Sequence, residues 1–132
     1  MSVVVVGLNH RTVPLELLER MTIDDARLPK VLHDLTTRPH VREAVALSTC
    51  NRTEIYVVAE RFHGAISDVR TSLSETTFLP PEVFADHLYV HYDDDAVAHL
   101  FEVAAGLDSA VVGEAEILGQ VRERATQRAG GN

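Results

Sequence analysis

Two runs rich in valine, isoleucine, leucine and tyrosine, Val41 to Ser48 and Thr53 to Glu60, are separated by only Thr49, Cys50, Asn51 and Arg52. Four residues suit a tight reversal between paired strands and are far too few for a crossover, so the spacing predicts an antiparallel hairpin. The remaining elements have to be arranged around it. Ser2 to Leu8 is a short β-branched run ending in Gly7 and Asn9, which reads as a buried strand and a turn. Pro14 suits the first turn of a helix carrying Leu15, Leu17 and Leu18, and a second helix is expected from about Asp24 to Thr36, before the break at Pro39. Past the hairpin the pattern predicts a helix from about Gly64 to Thr76, a helical turn at Pro80 and Pro81, and a strand from Leu88 to Tyr92. Asp93, Asp94 and Asp95 then open a helix as candidate caps, with Gly106 as the left-handed residue that ends it. A last helix is expected from about Ser109 or Gly113 to Ala129.

This order is close to the βαββαβ arrangement, so the expectation is α+β: a ferredoxin-like antiparallel sheet with helices on one face, followed by the start of a long C-terminal helix. The 132 residues suit one domain with its own core. The formal charge of −8 is unevenly placed: residues 71 to 121 hold ten acidic side chains and no lysine or arginine. That stretch repels phosphate, so a polynucleotide has to approach elsewhere. The candidates are the arginines of the first half and Arg122, Arg124 and Arg128. Val3 to Val6 is too short to span a membrane and no basic segment precedes it, which places the chain in the cytoplasm as an expectation.

The single cysteine, Cys50, has no internal disulfide partner and is either an inert packed thiol or a reactive one. Its place in a hairpin connection favours reactivity, because loops on rigid scaffolds hold a side chain steadily and leave it accessible. Arg52 can favour the thiolate or grip a substrate carboxylate, while Thr49 and Asn51 offer hydrogen bonds. His99 shares a helix face with Ala96 and Val103 and is the best acid or base of the second half. His87 and His91 stand four apart in a predicted strand without further ligands, so no metal is expected. Gly113 to Gly119 lacks the lysine of a phosphate loop, and no GxGxxG follows a strand.

The segment Ser48-Thr49-Cys50-Asn51-Arg52-Thr53-Glu54-Ile55-Tyr56 resembles the catalytic signature of the glutamyl-tRNA reductase family. Three further blocks resemble that family in the same order: Gly7-Leu8-Asn9-His10-Arg11-Thr12-Val13-Pro14, His99-Leu100-Phe101, and Gly106-Leu107-Asp108-Ser109 through Gly113-Glu114-Ala115-Glu116-Ile117-Leu118-Gly119-Gln120-Val121. Val13 and Ala110 depart from the usual pattern.

The resemblance implies NADPH-dependent reduction of glutamyl-tRNA to glutamate-1-semialdehyde for tetrapyrrole synthesis, through a thioester on Cys50. It further implies that Thr49, Asn51 and Arg52 surround the glutamyl group, that Ser109, Glu114, Ala115, Glu116 and Gln120 complete the pocket, and that His99 assists. Arg52 would take the substrate's side-chain carboxylate and the glutamates its ammonium group. By the same resemblance residues 1–112 form a catalytic domain excised from a longer chain, and residues 113–132 begin the helix toward absent NADPH-binding and dimerisation domains. A homodimer and handover of the product to the next pathway enzyme belong to that picture. Two rivals are a cysteine hydrolase using Cys50 with His99 or His10 as base, and a small-ligand-binding ferredoxin-like module.

Overall fold

A computed structural model of the chain describes residues 2–106. The predicted hairpin forms from β2 (Val41–Ser48) and β3 (Arg52–Ala59), paired antiparallel with Ser48 opposite Thr53. Strand β1 (Ser2–Asn9) lies antiparallel on the other side of β3, and β4 (Tyr89–Tyr92) closes the far edge against β1. The sheet order is β2-β3-β1-β4, the arrangement expected of a βαββαβ chain. The intervening helices are α1 (Leu15–Met21), α2 (Leu28–Thr37), α3 (Phe62–Thr77) and the short α4 (Pro81–Phe84), with α5 (Asp94–Ala104) after β4.

Within the βαββαβ unit the helices cover one face, as expected, and only α5, which follows β4, departs from that layer. Helices α1, α2 and α3 cover one face, where Leu18, Val31, Leu35, Val69 and Leu73 meet Val4, Val6, Ile55 and Val57 in the main core. Helix α5 lies on the opposite face, where Ala96 and Val103 join Val5, Leu47 and Tyr56 in a second cluster. The physical reason is in β1. A run of four valines leaves apolar side chains on both sides of the strand, so a single helical layer would strand half of them in water.

Two helix starts also differ from expectation. Helix α2 begins at Leu28, not near Asp24, because Pro29 fits only the first helical turn. Asp24 instead braces the preceding turn, its Oδ1 accepting the Arg27 N–H at 2.9 Å. At α5 no aspartate side chain caps the helix. Asp93, at φ 52°, turns its backbone N–H to Val3 O at 2.7 Å and its Oδ1 to the Val3 N–H at 3.2 Å, tying the helix start to β1. Asp94 and Asp95 still lie in the first turn, where negative charge complements the helix dipole. Gly106 ends the element at φ 79°, a conformation that glycine adopts without steric cost. Among the described residues, no helix is long and apolar enough to cross a membrane.

Candidate active site

Pairing of β2 with β3 brings the signature segment to one end of the sheet. The Thr49 N–H donates to Arg52 O at 2.8 Å and closes the reversal, and the Asn51 N–H donates to Thr49 Oγ1 at 3.1 Å. From the neighbouring strand end the His10 N–H donates to Asn51 O at 2.9 Å. Three backbone donors therefore brace a turn at whose tip Cys50 is exposed. This is not the environment of an inert packed thiol.

Alternation along β3 sends its side chains to two different sites. Thr53 faces α1: its Oγ1 donates to Met21 O at 3.1 Å and lies 2.8 Å from Ser48 Oγ, which accepts the Ile23 N–H at 2.8 Å. These bonds draw the α1–α2 connection beneath the turn. Beside it opens a cleft of about 600 Å³, whose walls include Cys50, Thr49, Leu15, Glu19, Asp24 and Asp25.

Arg52, Glu54 and Tyr56 face the other way, toward α5. Arg52 and Glu54 are fully buried, and their charges meet with Arg52 Nη1 3.4 Å from Glu54 Oε2. Three more donors converge on the same carboxylate. Tyr56 Oη donates to Oε1 at 2.9 Å, while Tyr89 Oη and His99 Nε2 both bond Oε2. Burial acts to raise the Glu54 carboxyl, but the hydrogen bond and charge of His99, the Tyr89 hydroxyl and the Arg52 charge outweigh it. Glu54 is therefore held below the ordinary glutamate range and is ionised. Burial and the Glu54 charge push both phenols up, so Tyr56 and Tyr89 remain donors.

An ionised carboxylate can only accept, so His99 carries a hydrogen on Nε2. A buried carboxylate that sets the tautomer of a histidine is a familiar device for preparing a general base or acid. The predicted α5 face thus holds, with His99 buried alongside Ala96 and Val103. Residue pattern alone gives Glu54, Tyr56 and Tyr89 no role. The available signal is a glutamate in a strand whose following residues, Ile55 to Ala59, are all apolar or aromatic.

Gly7 makes the arrangement possible. It is flanked in register by Glu54 on β3 and Tyr89 on β4. A Cβ there would come within 2.8 Å of Glu54 Cγ and 3.0 Å of the Thr53 carbonyl oxygen. Because one of those neighbours is backbone, Gly7→Ala is expected to cost about 1–3 kcal/mol and to displace Glu54. A denaturant titration checks the first effect, and an unchanged midpoint would refute it.

Of the residues proposed for the glutamyl pocket, the structure gathers Thr49, Cys50, Asn51 and Arg52 in or beside the turn. Thr49 is buried at 1% exposure, and Asn51 Nδ2 has no hydrogen-bond partner among the described residues. Ser109, Glu114, Ala115, Glu116 and Gln120 lie outside the described residues, as do the predicted final helix and Arg122, Arg124 and Arg128. Among the described residues no cluster of three or more His, Cys, Asp or Glu side chains is placed to hold a metal.

Comparison with known proteins agrees with the motifs. The family model for the glutamyl-tRNAGlu reductase N-terminal domain matches residues 6–131. The chain is 57% identical over 122 residues to a glutamyl-tRNA reductase of Frankia alni, covering 92% of this chain and 26% of that protein. With the glutamyl-tRNA reductase of Salinispora arenicola it shares 52% identity over 123 residues, 93% of this chain and 27% of the relative. The solved glutamyl-tRNA reductase of Methanopyrus kandleri superposes with a TM-score of 0.65 at 30% identity, over 96% of this chain and 28% of that one. The chain thus spans about a quarter of the length of the curated relatives it matches. It belongs, by sequence and by fold, to the family of glutamyl-tRNA reductase N-terminal domains.

Proposed function

We propose that this chain carries out the acyl-transfer half of glutamyl-tRNA reduction, with Cys50 as nucleophile. The observation that carries the reading is the exposed thiol at the tip of a braced turn, with a buried pair of Glu54 on β3 and His99 on α5. The Cys50 thiolate attacks the carbonyl carbon of the glutamyl ester, the bond from that carbon to the ribose oxygen breaks, and the oxygen leaves with a proton. The products are a glutamyl thioester on Cys50 and free tRNA. His99 Nδ1 serves as the proton-handling atom, Thr49 and Asn51 hydrogen-bond the glutamyl group, and Arg52 contributes its positive charge to the glutamyl side-chain carboxylate from its buried place beside Glu54. Ser109, Glu114, Ala115, Glu116 and Gln120 complete the pocket in this reading, the glutamates taking the ammonium group.

Charge excludes one approach for the acceptor end. The cleft on the α1 side of Cys50 is walled by Glu19, Asp24 and Asp25, a poor bed for phosphate. The acceptor end therefore does not lie along that cleft.

Hydride transfer is a separate matter. Every pairing in the sheet is antiparallel, so the described residues lack the parallel βαβ unit in which a dinucleotide pyrophosphate meets a helix start. They do not fit NADPH, and no step through it is assigned to this chain. Incubated with glutamyl-tRNA and NADPH, the chain should oxidise no cofactor above background. Steady loss of NADPH absorbance would overturn that division of labour.

Intact-protein mass spectrometry after brief exposure to glutamyl-tRNA tests the acyl transfer. The expected result is a mass gain of one glutamyl group, mapped to Cys50 and lost on treatment with hydroxylamine. No adduct, or an equal adduct from a simple glutamyl ester without tRNA, would defeat the reading, the latter in favour of a cysteine hydrolase.

A further inference from the structure

Nothing in the proposed acyl transfer uses His91, yet the sheet places it against the one histidine that does act. Val5 pairs in register with Tyr56 on one side and His91 on the other, one row along from Glu54, Gly7 and Tyr89. His91 therefore stands on the α5 face of the sheet, half-buried. Its ring centroid lies 4.7 Å from that of His99 with the planes 33° apart, a close tilted contact. Tyr89 leans on both rings, 5.3 Å from His99 and 5.5 Å from His91.

We propose that His91 is a positioning residue that clamps the His99 ring in the one orientation that meets Glu54. The terminal torsion of a histidine is broad and roughly twofold, so the side chain alone does not choose which nitrogen faces the carboxylate. The hydrogen bond from Nε2 to Glu54 rewards one choice. The adjacent His91 ring resists rotation through the other, and Tyr89, whose hydroxyl is itself tied to Glu54, packs against both histidine rings. The ring is thus held at Nε2 by a carboxylate and against a second ring, which leaves Nδ1 as the nitrogen free of Glu54. Packing alone would be served equally well at position 91 by a branched aliphatic residue beneath α5.

The inference rests on the reading that His99 handles a proton in acylation, and the test separates the two. His91→Leu keeps the volume and removes the flat ring, whereas His91→Phe keeps the ring and removes the nitrogens. Each variant and the parent chain are treated with glutamyl-tRNA over a range of concentrations, and the single-turnover rate of thioester formation is followed by mass spectrometry. Long-range ¹H–¹⁵N spectra of the ¹⁵N-histidine-labelled chains report the tautomer of His99. For His91→Leu the maximal acylation rate should fall about tenfold while the half-saturating concentration stays within about twofold, as for a group moved off line with binding intact. His99 should then show mixed tautomers, and His91→Phe should restore both the rate and the single Nε2-protonated signature. Parent-like rate and spectrum in His91→Leu, or failure of His91→Phe to recover either, would overturn the clamp. If the parent chain itself forms no adduct, the acyl-transfer reading fails, and the spectra alone decide whether His91 sets the tautomer.

Discussion

Cys50→Ser should slow acyl transfer to the side chain at position 50 by about 10⁴-fold or more, the scale on which removal of an essential nucleophile acts. A serine hydroxyl at neutral pH is almost wholly protonated and a far weaker nucleophile than a thiolate, and nothing in the turn is arranged to ionise it. The same substitution should leave the fold untouched. Cys50 is exposed, and the bonds that brace the turn come from the backbone of Thr49, Asn51 and His10, so the melting temperature should stay within the scatter of an ordinary surface change. Loss of the adduct at unchanged stability is the combined result that assigns the chemistry to the sulfur. Release of glutamate from glutamyl-tRNA at the parent rate in Cys50→Ser would remove Cys50 from the mechanism.

Glu54→Gln should have the largest structural effect. The amide oxygen can still accept from the tyrosines, but Arg52 and His99 lose the charge buried beside them. Removing one partner of a buried ion pair costs about 3 kcal/mol or more, because the other charge is left uncompensated. For a domain of this size that corresponds to a fall of roughly 10 °C in melting temperature. Acylation should slow as well, since an amide cannot fix the His99 tautomer as an ionised carboxylate does.

The pH dependence gives a second reading of the same group. The folded protein holds the Glu54 carboxyl below its ordinary value of 4.5, so its stabilising contribution is complete above that value. The contribution is lost as the pH falls through the lower folded value, and Glu54→Gln never has it. The stability gap between parent and variant should therefore be constant near neutrality and narrow below about pH 4.5, the region of the ordinary glutamate value. Paired melts across that range check it, and a gap that persisted undiminished into strong acid would show that Glu54 is not held ionised by its neighbours.

Much of this protein is local in origin and so is legible along the chain. Short-range turn chemistry and hydrophobic period determined the hairpin at Thr49–Arg52, the order of strands and helices and the exposed place of Cys50, because each depends on residues only a few positions apart. The motif at Ser48–Tyr56 likewise identified the family before any strand was paired. Pro29 shows the limit even here: the periodic apolar residues fitted a helix from Asp24, but a missing N–H moved its start to Leu28.

What lay beyond reach concerns residues far apart in sequence. Glu54 meets His99 across 45 positions and Tyr89 across 35, through a gap that exists only because Gly7 of another strand has no side chain. The placement of α5 on the opposite face from α1, α2 and α3 depended on how two apolar faces of one strand are shared between helices, a question of burial over the whole sheet. Sequence alone determined which residue could act as nucleophile and on what kind of scaffold. Tertiary structure decided which carboxylate orients the histidine, since a buried charge finds its partners only when every strand and helix is in place.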